Sequence, residues 1–116
     1  VDTDAVIAHC LAKPGAEETY PWGDGELVAK VGGKAFAFIG MESGSVGVKC
    51  GPTSEAAAEW RERYPDDIAE SAHIGRYGWN RVTLGGAVPA AEVRELLDAS
   101  YDAVVAKLPT ARRPVA

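Results

Sequence analysis

Chemistry needs reactive side chains within reach of one another, and this sequence supplies few. Its histidines are His9 and His73, and its cysteines are Cys10 and Cys50. None of them has C-x-x-C or H-x-x-x-H spacing, so no metal site is expected. His9 and Cys10 do not read as a base–nucleophile pair, because adjacent residues on a helix point in different directions. Cys10 reads as core and His9 as surface. The carboxylate pairs Glu17-Glu18 and Asp66-Asp67 fall in turn-like, solvated stretches where nothing raises one pKa for acid catalysis. Gly40-Met41-Glu42-Ser43-Gly44 resembles a hydrolase nucleophile elbow only loosely, with its serine wrongly spaced. No P-loop and no G-x-G-x-x-G occurs. The expectation is a non-enzymatic protein with no catalytic residue, no metal and no cofactor.

Charge is more informative. The chain carries −5 overall, which argues against indiscriminate binding to polyanions. Two windows run the other way. Leu27 to Gly51 holds Lys30, Lys34 and Lys49 against the single acid Glu42, and Ser71 to Gly86 holds His73, Arg76 and Arg81 with no acid. If these windows meet in space, they form a modest basic surface on an acidic body.

The elements that would position them follow from periodicity. With 116 residues, 47% hydrophobic and 25% charged, the chain has the size and composition of one folded domain. Val6, Ile7, Cys10 and Leu11 make a helical stripe behind Asp2 or Thr3 as N-cap, stopped at Lys13-Pro14-Gly15. Glu17 to Trp22 reads as a short edge strand. Leu27–Val31 and Lys34–Ile39 are two apolar strands around Gly32-Gly33, a pair suited to a tight hairpin. Ser45–Cys50 is a further strand. A second helix follows Pro52, capped by Thr53 or Ser54, with Ala57, Trp60 and Tyr64 as its buried stripe. Asp66–Gly78 reads as irregular and Trp79–Leu84 as the last strand. The final helix runs from Pro89 to about Leu108 on Val93, Leu97, Tyr101, Val104 and Leu108. The order α-β-β-β-β-α-β-α, rich in hairpins, predicts an α+β two-layer sandwich, an antiparallel sheet with helices on one face. Residues 1–108 form the single domain and 109–116 a basic, frayed tail. The two cysteines read as reduced, buried thiols rather than a disulfide framework. No apolar run is long enough to span a membrane, and the reading is of a cytoplasmic protein.

Strand parity assigns faces. Val46, Val48, Cys50, Val82 and Leu84 point to the core, as do Phe36 and Phe38, with Ala35 and Ala37 outward. The far face then holds Lys30, Ala35, Ala37, Gly47, Lys49, Trp79 and Arg81. Small residues lie between basic tips and one aromatic, which reads either as the ordinary solvated face of an antiparallel sheet or as a surface for stacking a base while cations meet phosphates.

One segment, His73-Ile74-Gly75-Arg76-Tyr77-Gly78-Trp79-Asn80-Arg81-Val82, resembles the pattern H-x-x-K-x-x-W-N-x-V of the MmcQ/YjbR family of small bacterial proteins. Pro21-Trp22-Gly23, the Lys30-Val31-Gly32-Gly33-Lys34-x-Phe36 hairpin and Val48-Lys49-Cys50 are similar to that family too, so the resemblance runs from about Val6 to Leu108. It implies a frataxin-like (CyaY-like) double-wing fold and a DNA-binding role. By position it nominates Lys30, Lys34, Lys49, His73, Arg76, Trp79 and Asn80, beside Arg81 from the strand parity. Where many relatives have adjacent lysines this chain has Arg76-Tyr77, which thins its basic patch.

The leading expectation is a nucleic-acid-binding domain of weak sequence specificity, since phosphate contacts position a protein without reading sequence. The alternative is a small-molecule or protein interaction module using a groove near Trp22 and Trp79. Iron binding, suggested by the fold resemblance, lacks a dense acidic ridge, because the first helix offers only Asp2 and Asp4.

Overall fold

The computed structural model describes residues 2–114. Asp2 opens the first helix, its carboxylate accepting from the Ala5 N–H at 2.9 Å. This helix, α1, covers Thr3–Leu11 and buries Val6 and Cys10. Strands β1 (Glu17–Thr19), β2 (Glu26–Val31), β3 (Lys34–Gly40) and β4 (Ser45–Lys49) follow as an antiparallel meander. Helix α2 (Ser54–Arg63) starts on the Thr53 hydroxyl, which accepts from the Ala56 N–H. Two further strands, β5 (Ile68–Glu70) and β6 (Trp79–Thr83), precede the long helix α3 (Ala90–Ala106). The sheet order is β1-β2-β3-β4-β6-β5, with every neighbouring pair antiparallel. This is the α+β two-layer arrangement expected from the sequence. The short strand β5 is an addition to it, formed within the stretch read as irregular.

Gly32 and Gly33 turn the β2–β3 hairpin at φ 57° and 83°. Gly32 is also sterically required: a Cβ there would sit 2.7 Å from Leu108 and 2.8 Å from the Arg112 carbonyl. The chain after α3 therefore packs on this turn. Residues Thr110–Arg112 form a 3-10 turn, and Arg113 donates to the Leu108 and Ala106 carbonyls. The tail is thus ordered up to this point, not frayed. Its last residues, 115 and 116, lie outside the described residues.

The face assignment on β3 needs correction. Ala29 pairs with Ala37 and Lys30 with Ala35, which leaves Phe36 as the extra residue of a β-bulge. A bulge reverses parity beyond it. Phe36 and Ala37 are consequently both in the core, and Phe38 points to the far face. Phe36 meets Tyr101 of α3 edge-on, with centroids 5.2 Å apart. The strand pairing opens beside the bulge, and Ser100 fills the gap. Its hydroxyl accepts from the Lys49 N–H at 2.9 Å and donates to the Phe36 carbonyl at 2.6 Å.

Val31, Ile39, Val46, Val48, Ile68, Val82, Leu96 and Leu97 complete the buried centre. Trp60 is not fully in the core. It packs half-buried at the margin, stacked on Tyr64 with Arg63 over its ring, because only Ala57 on that helix reaches the centre. His9 is also half-buried, its Nε2 2.7 Å from Asp98, which Lys13 approaches at 2.5 Å. That cluster ties α1 to α3. Both cysteines are buried and free. Among the described residues no helix is long and apolar enough to cross a membrane.

Candidate nucleic-acid interface

The bulge and the alternation of β6 decide what the open face displays. One row across the sheet is Val28, Phe38, Gly47, Arg81 and Ala69. Gly47 lies opposite Phe38, so the phenyl ring covers a position with no side chain. Trp22, carried on the turn before β2, lies 6.3 Å from Phe38 between ring centroids, and Trp79 meets Phe38 edge-on at 5.4 Å. Three aromatics thus form a connected floor.

Over this floor runs an open groove of about 710 Å³ bounded by Trp22, Phe38, His73 and Arg81. Its rim also carries Glu26 and Glu70. His73 is exposed and sits at φ 67°, the one non-glycine residue among those described with positive φ. Such a conformation costs a non-glycine residue of order 1–3 kcal/mol and is found preferentially at functional sites.

A second cavity, of about 390 Å³, lies where β3 and β6 begin and β4 ends, below the last turn of α3. Lys34, Lys49 and Lys107 line it with Trp79, and Ala35, Val104 and Leu108 supply apolar wall. Its lining contains no acid. Lys49 is only 9% exposed. Burial lowers its pKa from the ordinary lysine value, and the neighbouring Lys107 ammonium lowers it further. Among the described residues none of these lysines has a carboxylate partner within 4.0 Å.

The nominated residues therefore divide. Lys34, Lys49 and Trp79 come together in the lysine cavity, while His73 and Arg81 share the aromatic groove. Trp79 lines the lysine cavity alone, but its ring meets Phe38 of the groove edge-on and so links the two. Lys30 stands apart on β2, in register with Glu17 of β1. Arg76 is exposed, its guanidinium 4.9 Å from the Tyr77 ring, and lines neither cavity. Asn80 is a correction: it is 0% exposed and cannot reach a ligand. The alternation that turns Trp79 outward turns Asn80 into the core, where its amide bonds Ala57, Cys50 and Arg61.

Two residues were missed. Phe38 was hidden by the bulge, which no strand alternation signals. Lys107 reads in sequence as an ordinary cation at a helix end, and only the return of α3 across the sheet end places it beside Lys49.

Comparison with known proteins gives a consistent family. The YjbR family model matches residues 11–103. The YjbR protein of Escherichia coli is 30% identical over 110 residues, 93% of this chain and 91% of that one. A crystal structure of Deinococcus radiodurans protein DR2400, a DUF419 domain, matches with a TM-score of 0.84 and 33% identity. It covers 94% of this chain and 83% of that one. A Pseudomonas syringae protein matches at 19% identity with a TM-score of 0.65, over 84% of this chain and 93% of that one, a likeness of fold alone.

Proposed function

The chain belongs to the YjbR family, and from that premise and the geometry of its open sheet face we propose that it is a non-enzymatic binding domain for single-stranded nucleic acid. The observation that carries this is the place of Trp79, whose ring joins the aromatic floor to the lysine cavity. A single strand needs that combination, bases on aromatic faces and phosphates on cations, within one nucleotide's reach. Trp22 and Phe38 offer further stacking surface. Glu26 and Glu70 would accept from base amino groups, and Arg81 and His73 would donate to base acceptors. A duplex, with its bases enclosed, uses none of the aromatic floor.

Binding rather than catalysis also fits the thiols. Burial pushes Cys10 up to about 12 and Cys50 up to about 11, so neither is a thiolate nucleophile at neutral pH.

The test is fluorescence anisotropy of labelled oligothymidylate and of a duplex, at about 50 mM salt. The single strand should bind more tightly. Phe38→Ala and Trp22→Ala should each weaken it by about 1–3 kcal/mol, the usual worth of a stacked base. Absence of binding at low salt, or indifference to both variants, sinks the proposal. A second reading, a small-molecule or protein interaction module, is favoured by one feature: the groove of about 710 Å³ falls within the range of small-ligand pockets. Tryptophan fluorescence that responds to small ligands and not to oligonucleotides would select it.

A further inference from the structure

Three lysines around one cavity demand an explanation that the fold does not provide. Cations at a helix C-terminus commonly satisfy its last carbonyls. Here those carbonyls have other partners: Val104 accepts from the Lys107 N–H, Val105 from the Leu108 N–H and Ala106 from Arg113. The lysine ammonium groups are therefore surplus to the helix end. Nor, among the described residues, does a carboxylate lie within 4.0 Å of them, and Lys49 is held largely out of water beside a second ammonium. A folded protein that gathers like charges on an apolar wall incurs a cost, which is relieved when one ammonium loses its proton or when an anion binds among them.

The shape of the cluster indicates which anion. A strand's backbone phosphates carry one charge each and are spread along the chain, so each of them calls on only one of the cations at this end. Lys34, Lys49 and Lys107 instead converge on a single concavity. A phosphate monoester carries about −1.5 to −2 at neutral pH and has three acceptor oxygens. It matches three ammonium donors far better than a monoanionic diester does. The apolar part of the wall weakens screening and strengthens each contact. Trp79, in the same lining, would take the attached sugar or base on its ring.

We propose that the cavity lined by Lys34, Lys49, Lys107 and Trp79 is a receptor for a phosphate monoester, the phosphorylated end of a strand or a free mononucleotide. The strand form of this proposal rests on the reading given under Proposed function, whereas the monoester chemistry does not.

The experiment compares oligothymidylates bearing a 5′-phosphate, a 3′-phosphate or hydroxyls at both ends, with thymidine monophosphate and thymidine titrated alongside. One phosphorylated end should bind about tenfold or more tightly than the hydroxyl-ended strand, the worth of one or more charge-assisted hydrogen bonds. Lys49→Gln and Lys107→Gln should each reduce that ratio. Lys107 is exposed, so its variant stays informative if Lys49→Gln lowers the melting temperature. Lysine-dependent binding of thymidine monophosphate but not thymidine, with no strand bound, would support the monoester receptor while removing the strand reading. Strands bound equally whatever their ends, with the monophosphate no better than thymidine, would overturn the receptor and leave the strand reading standing. No binding of any phosphorylated probe would overturn it as well.

Discussion

Asn80 shows how adjacent residues of one motif serve different ends. Trp79 faces the open side of the sheet, while Asn80 turns into the core towards α2. Its amide donates to the Ala57 carbonyl at 2.9 Å and to Cys50 Sγ at 3.3 Å, and accepts from Arg61 at 2.7 Å. Asn80→Ala strands a buried carbonyl and a guanidinium and opens a small cavity. The expected loss is about 3 kcal/mol, read as a lower urea midpoint at unchanged m-value. The two thiols give a second residue-scale prediction. Burial raises both, Cys10 to about 12 and Cys50 to about 11, with Lys13 partly offsetting the first and the Asn80 hydrogen bond the second. In the unfolded chain they titrate near the ordinary thiol value. Their contribution to stability is thus fully present below that value and is lost as pH rises towards the folded pKa values. Between the two limits the unfolded chain has released protons that the folded one keeps. Stability should fall there by up to about 1.4 kcal/mol per pH unit for each thiol. Urea midpoints measured from pH 8 to 10.5 should decline less steeply in Cys10→Ala and Cys50→Ala than in the parent, about these pH values.

At the scale of elements, the controlling feature is the bulge at Phe36 and the serine that mends it. Ser100 stands on α3 where the paired strands separate, and it satisfies one donor on β4 and one acceptor on β3. Ser100→Ala leaves both buried without partners. It should cost about 2 kcal/mol and speed hydrogen exchange at the Lys49 amide more than at Val46 or Val82. If that amide exchanges no faster, the strands close without the serine. This junction also marks where the sequence stops being legible. The helices, the Gly32-Gly33 hairpin and the core parity of Val46, Val48 and Val82 follow from caps, turn chemistry and alternation. The parity of β3 does not, because the bulge puts both Phe36 and Ala37 in the core, with Phe36 packed on Tyr101 of a helix distant in sequence, and no alternation marks it. Strand β5 was illegible for another reason. Three residues with only Ile68 buried carry no alternation to read. Of the site, the types and approximate neighbourhood of Lys34, Lys49 and Trp79 were readable, since they lie at ends of adjacent strands. Lys107 and Phe38 were not, since one depends on topology and the other on the bulge.

Across the whole molecule, charge is polarised in a way that the total of −5 conceals. Helix α3 carries Glu92, Glu95, Asp98 and Asp102, and no acid follows in the rest of the chain, which instead holds Lys107, Arg112 and Arg113. With Lys34 and Lys49 this makes one end cationic on an acidic body. On the proposed reading, such a field would orient an approaching strand towards the lysine cavity and repel it from the opposite end. It also restricts the number of phosphates neutralised to the few that this end can reach. For a hydroxyl-ended single strand, about three contacts would give a slope near −2 in log K against log salt, each contact contributing about −0.7. Lys34→Gln should lower the slope by about 0.7, because it deletes one contact. Glu95→Gln, on the α3 surface away from the cavity, should raise affinity slightly through the general field and leave the slope unchanged, because it releases no counterion from the strand. A slope that survives Lys34→Gln intact would mean that the backbone runs elsewhere, and Lys30 and Arg76 would then be the cations to replace. A slope near zero would mean that stacking alone holds the strand, and Trp22, Phe38 and Trp79 would account for the affinity without the lysine end.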